Sequence, residues 1–509
     1  MNPNRDAEPA GGSIDRQLRG SSVLLAGRLL SKFINFGVQV AIIRLLTKED
    51  FGAFAYGLAL VAAGEVLVKI GLGQGANRFV PYYFERGEHD RLLGTLLLVT
   101  VTILVLGGAG FAALWWIAGY GLAGFPSGTG STVVLLLALL APVQALDQIC
   151  IQTLACFAKP WQIFLRKHVL APLLRVLAVA VAFFAGGSSE VLAAVYLAGG
   201  VLGLAICVHL VVKELVENGV LREGVRIEIP WRPLIDYSLP LVSSDLVAIV
   251  LTGVTTVMLM AAGGETEVAS MRAVAPAAAL NLLVIQSFGI LFLPSAARLF
   301  ARNDLAGMTR HHWESVAWVS ILSFPIFALT FCIAPRLVTV LFGEPYADSA
   351  IVLAVMSVGS FAAVVTAFSS EALQVVHLTR PLLQSNLLMI FVSVVLAALL
   401  IPTYGALGAA VAVTGARLLG AAVRQRALLS SGSIGSAPDA IRTIWWKLLA
   451  ATVAASLLGW AWQPALIVEL ALLAVVCLAL LRSCAKALDV GRTFPELLKV
   501  PLFRYVVAG

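Results

Sequence analysis

Charged residues are scarce in this sequence of 509 residues: Lys, Arg, Asp and Glu make up 12%, whereas hydrophobic residues make up 60%. A soluble domain usually has about 25% charged and 45–50% apolar residues. The scarcity of charge therefore excludes an ordinary soluble protein and indicates a chain that crosses a membrane many times. The net charge of +7 comes mainly from basic residues placed between apolar runs, which argues against nucleic acid as a partner.

Cysteine and the usual catalytic motifs are scarce or missing as well. The six cysteines fall in or beside apolar runs without metal-ligand spacing, which predicts buried thiols and no disulfide framework. The run Gly71-x-Gly73-x-Gly75 follows an apolar span rather than a strand, so it does not predict a dinucleotide loop. His311 and His312 lie in a basic stretch, which favours solvated histidines over ligands. We expect no enzymatic activity, no cofactor and no metal.

Apolar runs bounded by polar or Gly/Pro-rich turns predict an all-α polytopic membrane protein with about 14 transmembrane helices. The first 20 residues have no apolar h-region or cleavage site, so we expect the first span itself to direct insertion. The second span is expected to break at its glycine run. The predicted spans cover residues 21–46, 53–84, 92–118, 132–157, 168–186, 190–212, 234–262, 273–300, 313–334, 350–376, 380–401, 406–428, 443–462 and 464–481.

Two six-helix lobes and two appended helices are the predicted organisation. Both halves place a Pro-containing stretch and a charged loop after their second long span, at residues 79–90 and 292–304. Lobes that enter the membrane from the same side are related by a pseudo-two-fold axis along the membrane normal. The predicted segments are an N-terminal tail (1–20), an N-lobe (21–212), an inter-lobe linker (213–233), a C-lobe (234–428), a second linker (429–442), spans 13 and 14 (443–481) and a C-terminal tail (482–509).

Basic residues also predict the orientation of the chain. Most of the 35 Lys and Arg residues fall in the two tails and in the loops on the side of the N-terminus. The positive-inside rule places these segments in the cytoplasm. We therefore expect both termini to be cytoplasmic and the number of spans to be even.

A polar stripe in the first span is the main functional signal. Arg28, Lys32, Asn35 and Gln39 are spaced so that about 100° per residue puts them on one helix face. A charge in hydrocarbon costs about 2.5–3.5 kcal/mol on insertion scales, so this stripe is expected to face other helices or a wet cavity. Polar stripes in both halves predict a central hydrophilic lumen.

Further ionisable residues lie inside predicted spans. The predicted lumen cations that accompany the first-span stripe in substrate binding are Lys69, Arg78, Arg175 and Arg417. The acidic residues predicted to balance charge or bind a coupling proton or cation are Glu65, Asp147, Asp245 and Glu371. Structural interpretations stay open: an intrahelical pair for Glu65 and Lys69, snorkelling for Arg78 and Arg175, and an inner-leaflet anchor for Arg417. Glu469, at the outer end of span 14, is predicted to be interfacial.

Four short segments carry a resemblance to a known family. They are 44–52 (Arg-Leu-Leu-Thr-Lys-Glu-Asp-Phe-Gly), 70–81 (Ile-Gly-Leu-Gly-Gln-Gly-Ala-Asn-Arg-Phe-Val-Pro), 341–348 and 401–410. With them the chain resembles, from about residue 18 to 430, the polysaccharide transporter or oligosaccharide flippase (O-antigen translocase-like) family. That family belongs to the multidrug/oligosaccharidyl-lipid/polysaccharide exporter superfamily.

The resemblance implies a bacterial inner-membrane flippase for an undecaprenyl-diphosphate-linked oligosaccharide, such as an O-antigen, exopolysaccharide or capsule repeat unit. Its implied partners are this lipid-linked substrate, the bilayer, a coupling proton or cation and other polysaccharide assembly proteins. The family's lumen cations are matched in kind by Arg28 and Lys32. Two alternatives stay open: a cation-coupled multidrug antiporter resting on Asp245 and Glu371, and a glycan polymerase or ligase, which would need a catalytic outer loop.

Overall fold

The computed structural model describes residues 27, 30–121, 124–222, 226–238, 246–247, 249–457, 460 and 465–484. Most of these residues are helical and none of them lies in a strand, which confirms the predicted all-α class for this part of the chain. Ten helical stretches within it are long and apolar enough to cross a membrane. The chain divides into two compact units, Met1–Gly253 and Val254–Gly509.

The first unit contains ten described helices and a π-helical turn. Its core is built by apolar side chains such as Leu92, Ile103 and Leu154. The helices are α1 (30–45), α2 (Lys48–Lys69), α3 (Leu72–Glu85), α4 (His89–Tyr120), α5 (Thr129–Ala138), α6 (Leu140–Cys156), α7 (Pro160–Phe164), α8 (Ala171–Phe184), α9 (Ser189–Glu217) and α10 (Trp231–Ser238). The π turn Leu165–Leu170 connects α7 to α8.

Residues 44–52, one of the four segments that carry the family resemblance, form the turn between α1 and α2. Thr47 is the N-cap of α2: its Oγ1 accepts a hydrogen bond from the Asp50 backbone N–H at 3.1 Å. The same hydroxyl donates to Asp50 Oδ2 at 2.7 Å, and Ser189 at the start of α9 donates to Asp50 Oδ1 at 3.0 Å. A cap satisfies backbone donors that the helix leaves unpaired. This segment is therefore a structural turn that joins two helix starts.

The predicted break in the second span is confirmed. Helix α2 ends at Lys69, and Ile70 and Gly71 take left-handed backbone conformations with φ of 41° and 70°. Helix α3 then packs against α10, because a Cβ at Gly75 would lie 2.6 Å from Ser238 Oγ. The glycine run thus both breaks the span and admits a close helix contact.

The second unit contains nine described helices. They are α11 (Thr255–Ala279), α12 (Leu283–Ala301), α13 (Leu305–Phe327), α14 (Ala334–Phe342), α15 (Ser349–Val365), α16 (Ser369–Val375), α17 (Thr379–Ser430), α18 (Asp439–Ser456) and α19 (Leu466–Cys484). Helix α11 follows the π turn Ile249–Val254 and is kinked at Gly264, where φ is 70°. Helices α18 and α19 contribute to the core of this unit; the ring of Trp445, for example, lies 5.7 Å from that of Trp313.

Helix α17 is a hairpin of two antiparallel limbs bent at Gly405, where φ is 51°. The limbs touch along their length: Arg424 Nη1 lies 3.3 Å from Met389 Sδ, and a Cβ at Gly415 would lie 3.1 Å from the Leu396 side chain. The bend agrees with the predicted boundary between residues 401 and 406. Glu267 Oε2 accepts a hydrogen bond from the Ala406 N–H at 2.6 Å and so ties α11 to the hairpin tip.

Gly405→Ala is expected to lower the free energy of unfolding by about 1–3 kcal/mol, because an L side chain is strained at this φ and its Cβ would overlap the Glu267 carboxylate. Thermal unfolding in detergent would measure the loss. Gly110→Ala in α4 is the control, since nothing lies within 4 Å of a Cβ there. Equal melting temperatures for the two variants would contradict the expectation.

One prediction about local environment is wrong. His311 and His312 are not solvated, because α13 begins at Leu305 and carries both against α12: His311 stacks on Phe292 at 5.1 Å, and His312 is buried. Glu469 is fully buried within the protein, with its Oε2 3.9 Å from Arg336 Nε, and its position at the membrane interface stays a prediction. In both cases a distant segment supplies the neighbours.

Candidate functional site

The first polar cluster joins α1 to the segment that follows α7. Ser31 Oγ lies 3.0 Å from His168 Nδ1, and Arg175 Nη1 donates to Asn35 Oδ1 at 2.9 Å. Ser31 and Asn35 are one turn apart, so they share a face of α1. Lys32 follows Ser31 and is half-buried. The structure therefore brings together two predicted site residues, Asn35 and Arg175, and Lys32 lies one turn before Asn35 on the same helix.

Arg175 is held by a neutral group. The partner of Arg175 is an amide, and no carboxylate of the described residues forms an ion pair with it. A guanidinium has five N–H donors, so one bond to Asn35 leaves donors for an anion. Of the remaining predicted stripe, Gln39 is half-buried in α1, and Arg28 lies outside the described residues.

A second cluster links α2 to α6. Lys69 Nζ donates to Glu65 Oε1 at 2.8 Å and to Gln148 Oε1 at 2.6 Å. The Glu65 side chain is 24% exposed and that of Lys69 14%, so the pair is largely shielded from solvent. Glu65 thus balances the charge of Lys69, as expected for an intrahelical ion pair. A role for Lys69 in substrate binding stays a prediction.

Asp147 forms an ion pair that the sequence does not reveal. Its Oδ1 lies 2.7 Å from Nη2 of Arg166, whose Nε donates to the Gly203 carbonyl at 2.9 Å. The predicted fifth span begins at residue 168, but the helical segment begins at Pro160 and takes Arg166 into the bundle. The proline at the first helical position is the signal that would have moved the boundary.

Arg78 lies beside an aromatic ring. Its guanidinium carbon is 4.4 Å from the Tyr237 ring centroid and 5.7 Å from that of Phe79. Cation–π contacts of this kind hold a guanidinium without cancelling its charge. Arg78 therefore connects α3 to α10 and is separate from the cluster on α1.

Polar side chains of α15 and α17 meet in the second unit. Arg417 Nη1 lies 3.4 Å from Ser360 Oγ, and Thr414 on the same helix donates to the Val355 carbonyl at 3.0 Å. Glu371 is half-buried on α16. Asp245 lies outside the described residues. No group of metal-ligating side chains suited to hold an ion occurs in the described ranges.

Residues 17–300 match the profile of a family described as "Polysaccharide biosynthesis protein". No curated protein sequence matches the chain. One solved structure, the lipid II flippase MurJ in an inward closed conformation, aligns with a TM-score of 0.69 at 13% identity, over 92% of this chain and 100% of that one.

Multidrug transporters have the same fold. An inward-facing multidrug resistance MATE transporter of the MOP superfamily aligns with a TM-score of 0.62 at 13% identity, over 80% of this chain and 96% of that one. The MATE multidrug transporter DinF-BH aligns with a TM-score of 0.58 at 15% identity, over 85% and 98%. At such identities the likeness establishes a shared fold.

Proposed function

Because this chain belongs to the polysaccharide biosynthesis protein family and has a fold found in MOP-superfamily transporters, we propose that it is a flippase for undecaprenyl-diphosphate-linked oligosaccharide. The substrate would be an O-antigen, exopolysaccharide or capsule repeat unit. It would move from the cytoplasmic to the periplasmic leaflet of a bacterial inner membrane, with both termini of the protein in the cytoplasm.

The observation that carries this proposal is the cluster on α1. Arg175, held by the neutral Asn35 next to Lys32, supplies cationic donors at the depth of an apolar bundle. A guanidinium matches the geometry of phosphate oxygens, and charge-assisted hydrogen bonds are about twice as strong as neutral ones. Such a cluster suits the diphosphate of a lipid-linked sugar, which cannot cross hydrocarbon unaided.

The other predicted residues are assigned supporting roles. Asn35, Gln39 and further amide and hydroxyl groups would bind sugar hydroxyls. Arg28, Lys69, Arg78 and Arg417 would add positive charge along the path. The acidic residues that would balance this charge or bind a coupling proton or cation are Glu65, Asp147, Asp245 and Glu371. Transport would proceed by alternating access, in which the polar path opens to one side of the membrane at a time.

The experiment that tests the proposal is mass spectrometry of lipids extracted from a deletion strain. We expect undecaprenyl-diphosphate-linked glycan to accumulate on the cytoplasmic leaflet while surface polysaccharide is lost, because synthesis continues without export. Restoration by the intact gene is the control. Unchanged lipid and surface glycan, together with altered drug sensitivity, would contradict the flippase and favour a cation-coupled antiporter resting on Asp245 and Glu371.

A further inference from the structure

Residues 226–238, here called the strap, are fixed to α3 and α4 of the first unit. The Glu228 N–H donates to the Asp90 carbonyl at 3.2 Å, and the Glu228 carboxylate pairs with Arg91 at 3.0 Å. At the other end of the strap, Leu234 is fully buried and α10 packs against α3. One side of the strap is therefore held against the protein at both ends.

The other side of the strap is apolar and exposed. Ile227, Ile229 and Trp231 occupy every second position before α10, the spacing that puts side chains of an extended segment on one side. Ile235 follows Trp231 by four residues and continues this side along the helix. These four residues, the outer stripe, are 56%, 44%, 53% and 44% exposed in chain order.

The strap lies at the level where α4 becomes apolar. Asp90 and Arg91 are the last charged residues of α4, and an uninterrupted uncharged stretch begins at Leu92. A Cβ at Gly94 would overlap the Glu228 carbonyl, so the strap crosses α4 directly at this boundary. Because α4 is long and apolar enough to cross a membrane, the boundary corresponds to the bilayer surface.

Arginine side chains lie over aromatic rings at the same level. The Arg232 guanidinium carbon is 5.0 Å from the Trp231 ring centroid, and that of Arg86 is 4.5 Å from the Tyr82 ring centroid at the end of α3. Tryptophan and tyrosine are enriched at the headgroup level of membranes, and arginine binds phosphate oxygens. A cation–π contact leaves the charge of Arg232 available to a phosphate.

We propose that the strap is a lipid-binding surface. Its outer stripe inserts into the boundary between headgroups and acyl chains, and Arg232 binds a lipid phosphate. The occupant is the bilayer rather than a soluble protein, because the stripe lies at the bilayer surface and its polar neighbours are those that favour headgroups. The inference goes beyond the proposed flippase activity and does not depend on which substrate is carried.

The test is fluorine NMR of the full-length protein, labelled with fluorotryptophan and placed in phospholipid nanodiscs. The chain has ten tryptophans, and the Trp231 signal is the one that Trp231→Phe removes. Two relaxation agents are compared. One is a phospholipid with a nitroxide near the top of its acyl chain, and the other is a water-soluble gadolinium chelate.

We expect the nitroxide lipid to broaden the Trp231 signal at least about threefold more than the gadolinium chelate does, because the ring lies among lipids. Trp313 is the internal control, since only 3% of it is exposed and neither agent should broaden its signal strongly. Trp313→Phe assigns that signal.

A double variant, Ile229→Glu with Ile235→Glu, tests the outer stripe itself. Two carboxylates are costly at the edge of the hydrocarbon, so they should lift the strap and reduce the nitroxide broadening of Trp231 about threefold. Asp236→Asn is the matched control, because Asp236 is an exposed residue of the same helix that is not part of the stripe. Its replacement should leave the broadening unchanged.

Three results would overturn the inference. Broadening of Trp231 by the gadolinium chelate alone would show that the strap faces water and is open to a soluble partner. Broadening by neither agent would show that protein covers the stripe. Unchanged nitroxide broadening in the folded double variant would show that the stripe does not hold the strap in lipid. None of these results bears on the flippase proposal, which is decided by lipid-linked glycan in the deletion strain.

Discussion

Replacing Lys32 and Arg175 together with glutamine is expected to reduce surface glycan by at least about 100-fold, because two charge-assisted contacts worth about 1.5–3 kcal/mol each are lost. The double variant removes Arg175, which bonds Asn35, and Lys32, one turn before Asn35, while keeping polar side chains at both positions. The measurement is surface polysaccharide in a complemented deletion strain, normalised to the amount of the protein in the membrane.

Lys167→Gln is the matched control for this double variant. Lys167 lies in the same π turn, between Arg166 and His168, but is exposed. Its replacement removes a positive charge from the segment without touching the α1 cluster, so export should remain near the wild-type level. Normal glycan display by the double variant, at normal protein abundance, would refute the binding role of the cluster.

Asp147→Ala is expected to lower the free energy of unfolding by about 3–5 kcal/mol, because it leaves the Arg166 guanidinium buried without its carboxylate. The pair is well shielded, with 7% of the Arg166 side chain and 19% of the Asp147 side chain exposed. Thermal unfolding in detergent measures the effect. Asp147→Leu combined with Arg166→Met should recover most of the loss, since two apolar side chains leave no unpaired charge.

An exposed ion pair supplies the comparison for Asp147. Arg91 Nη2 lies 3.0 Å from Glu228 Oε1, but the two side chains are 44% and 59% exposed. Water and salt screen such a pair, so Arg91→Ala should change the melting temperature little. If Asp147→Ala and Arg91→Ala had equally small effects, the Asp147–Arg166 pair would not contribute measurably to stability.

Local chemistry made much of the fold predictable. The break after Lys69 follows from a glycine run, and the bend in α17 follows from a proline and a glycine between two apolar segments. Glycine and proline act on the local backbone, so their effect depends little on residues far along the chain. The burial of His311 and Glu469 was not predictable in this way. Each depends on a side chain from a distant segment, Phe292 in one case and Arg336 in the other.

The sequence points to charged residues inside the spans but not to the residues with which they pair. Charge inside an apolar span identified Arg175 and Asp147, because a charged side chain is costly in lipid. Arg175 pairs with Asn35, which lies 140 residues away in the sequence. Asp147 pairs with Arg166, which lies before the predicted start of the fifth span at residue 168. The periodicity of a single sequence shows which residues share a helix face, but it does not show which two helix faces are in contact.

The hairpin form of α17 bears on how the chain enters the membrane. Its two limbs contact each other from Met389 to Arg424, and its tip around Gly405 carries no charge. A tip without charge has little to desolvate as it crosses the hydrocarbon, and the limbs satisfy their backbone groups internally. We expect residues 379–430 to leave the translocon as one folded pair, so that Tyr404→Lys would slow membrane insertion before it altered transport.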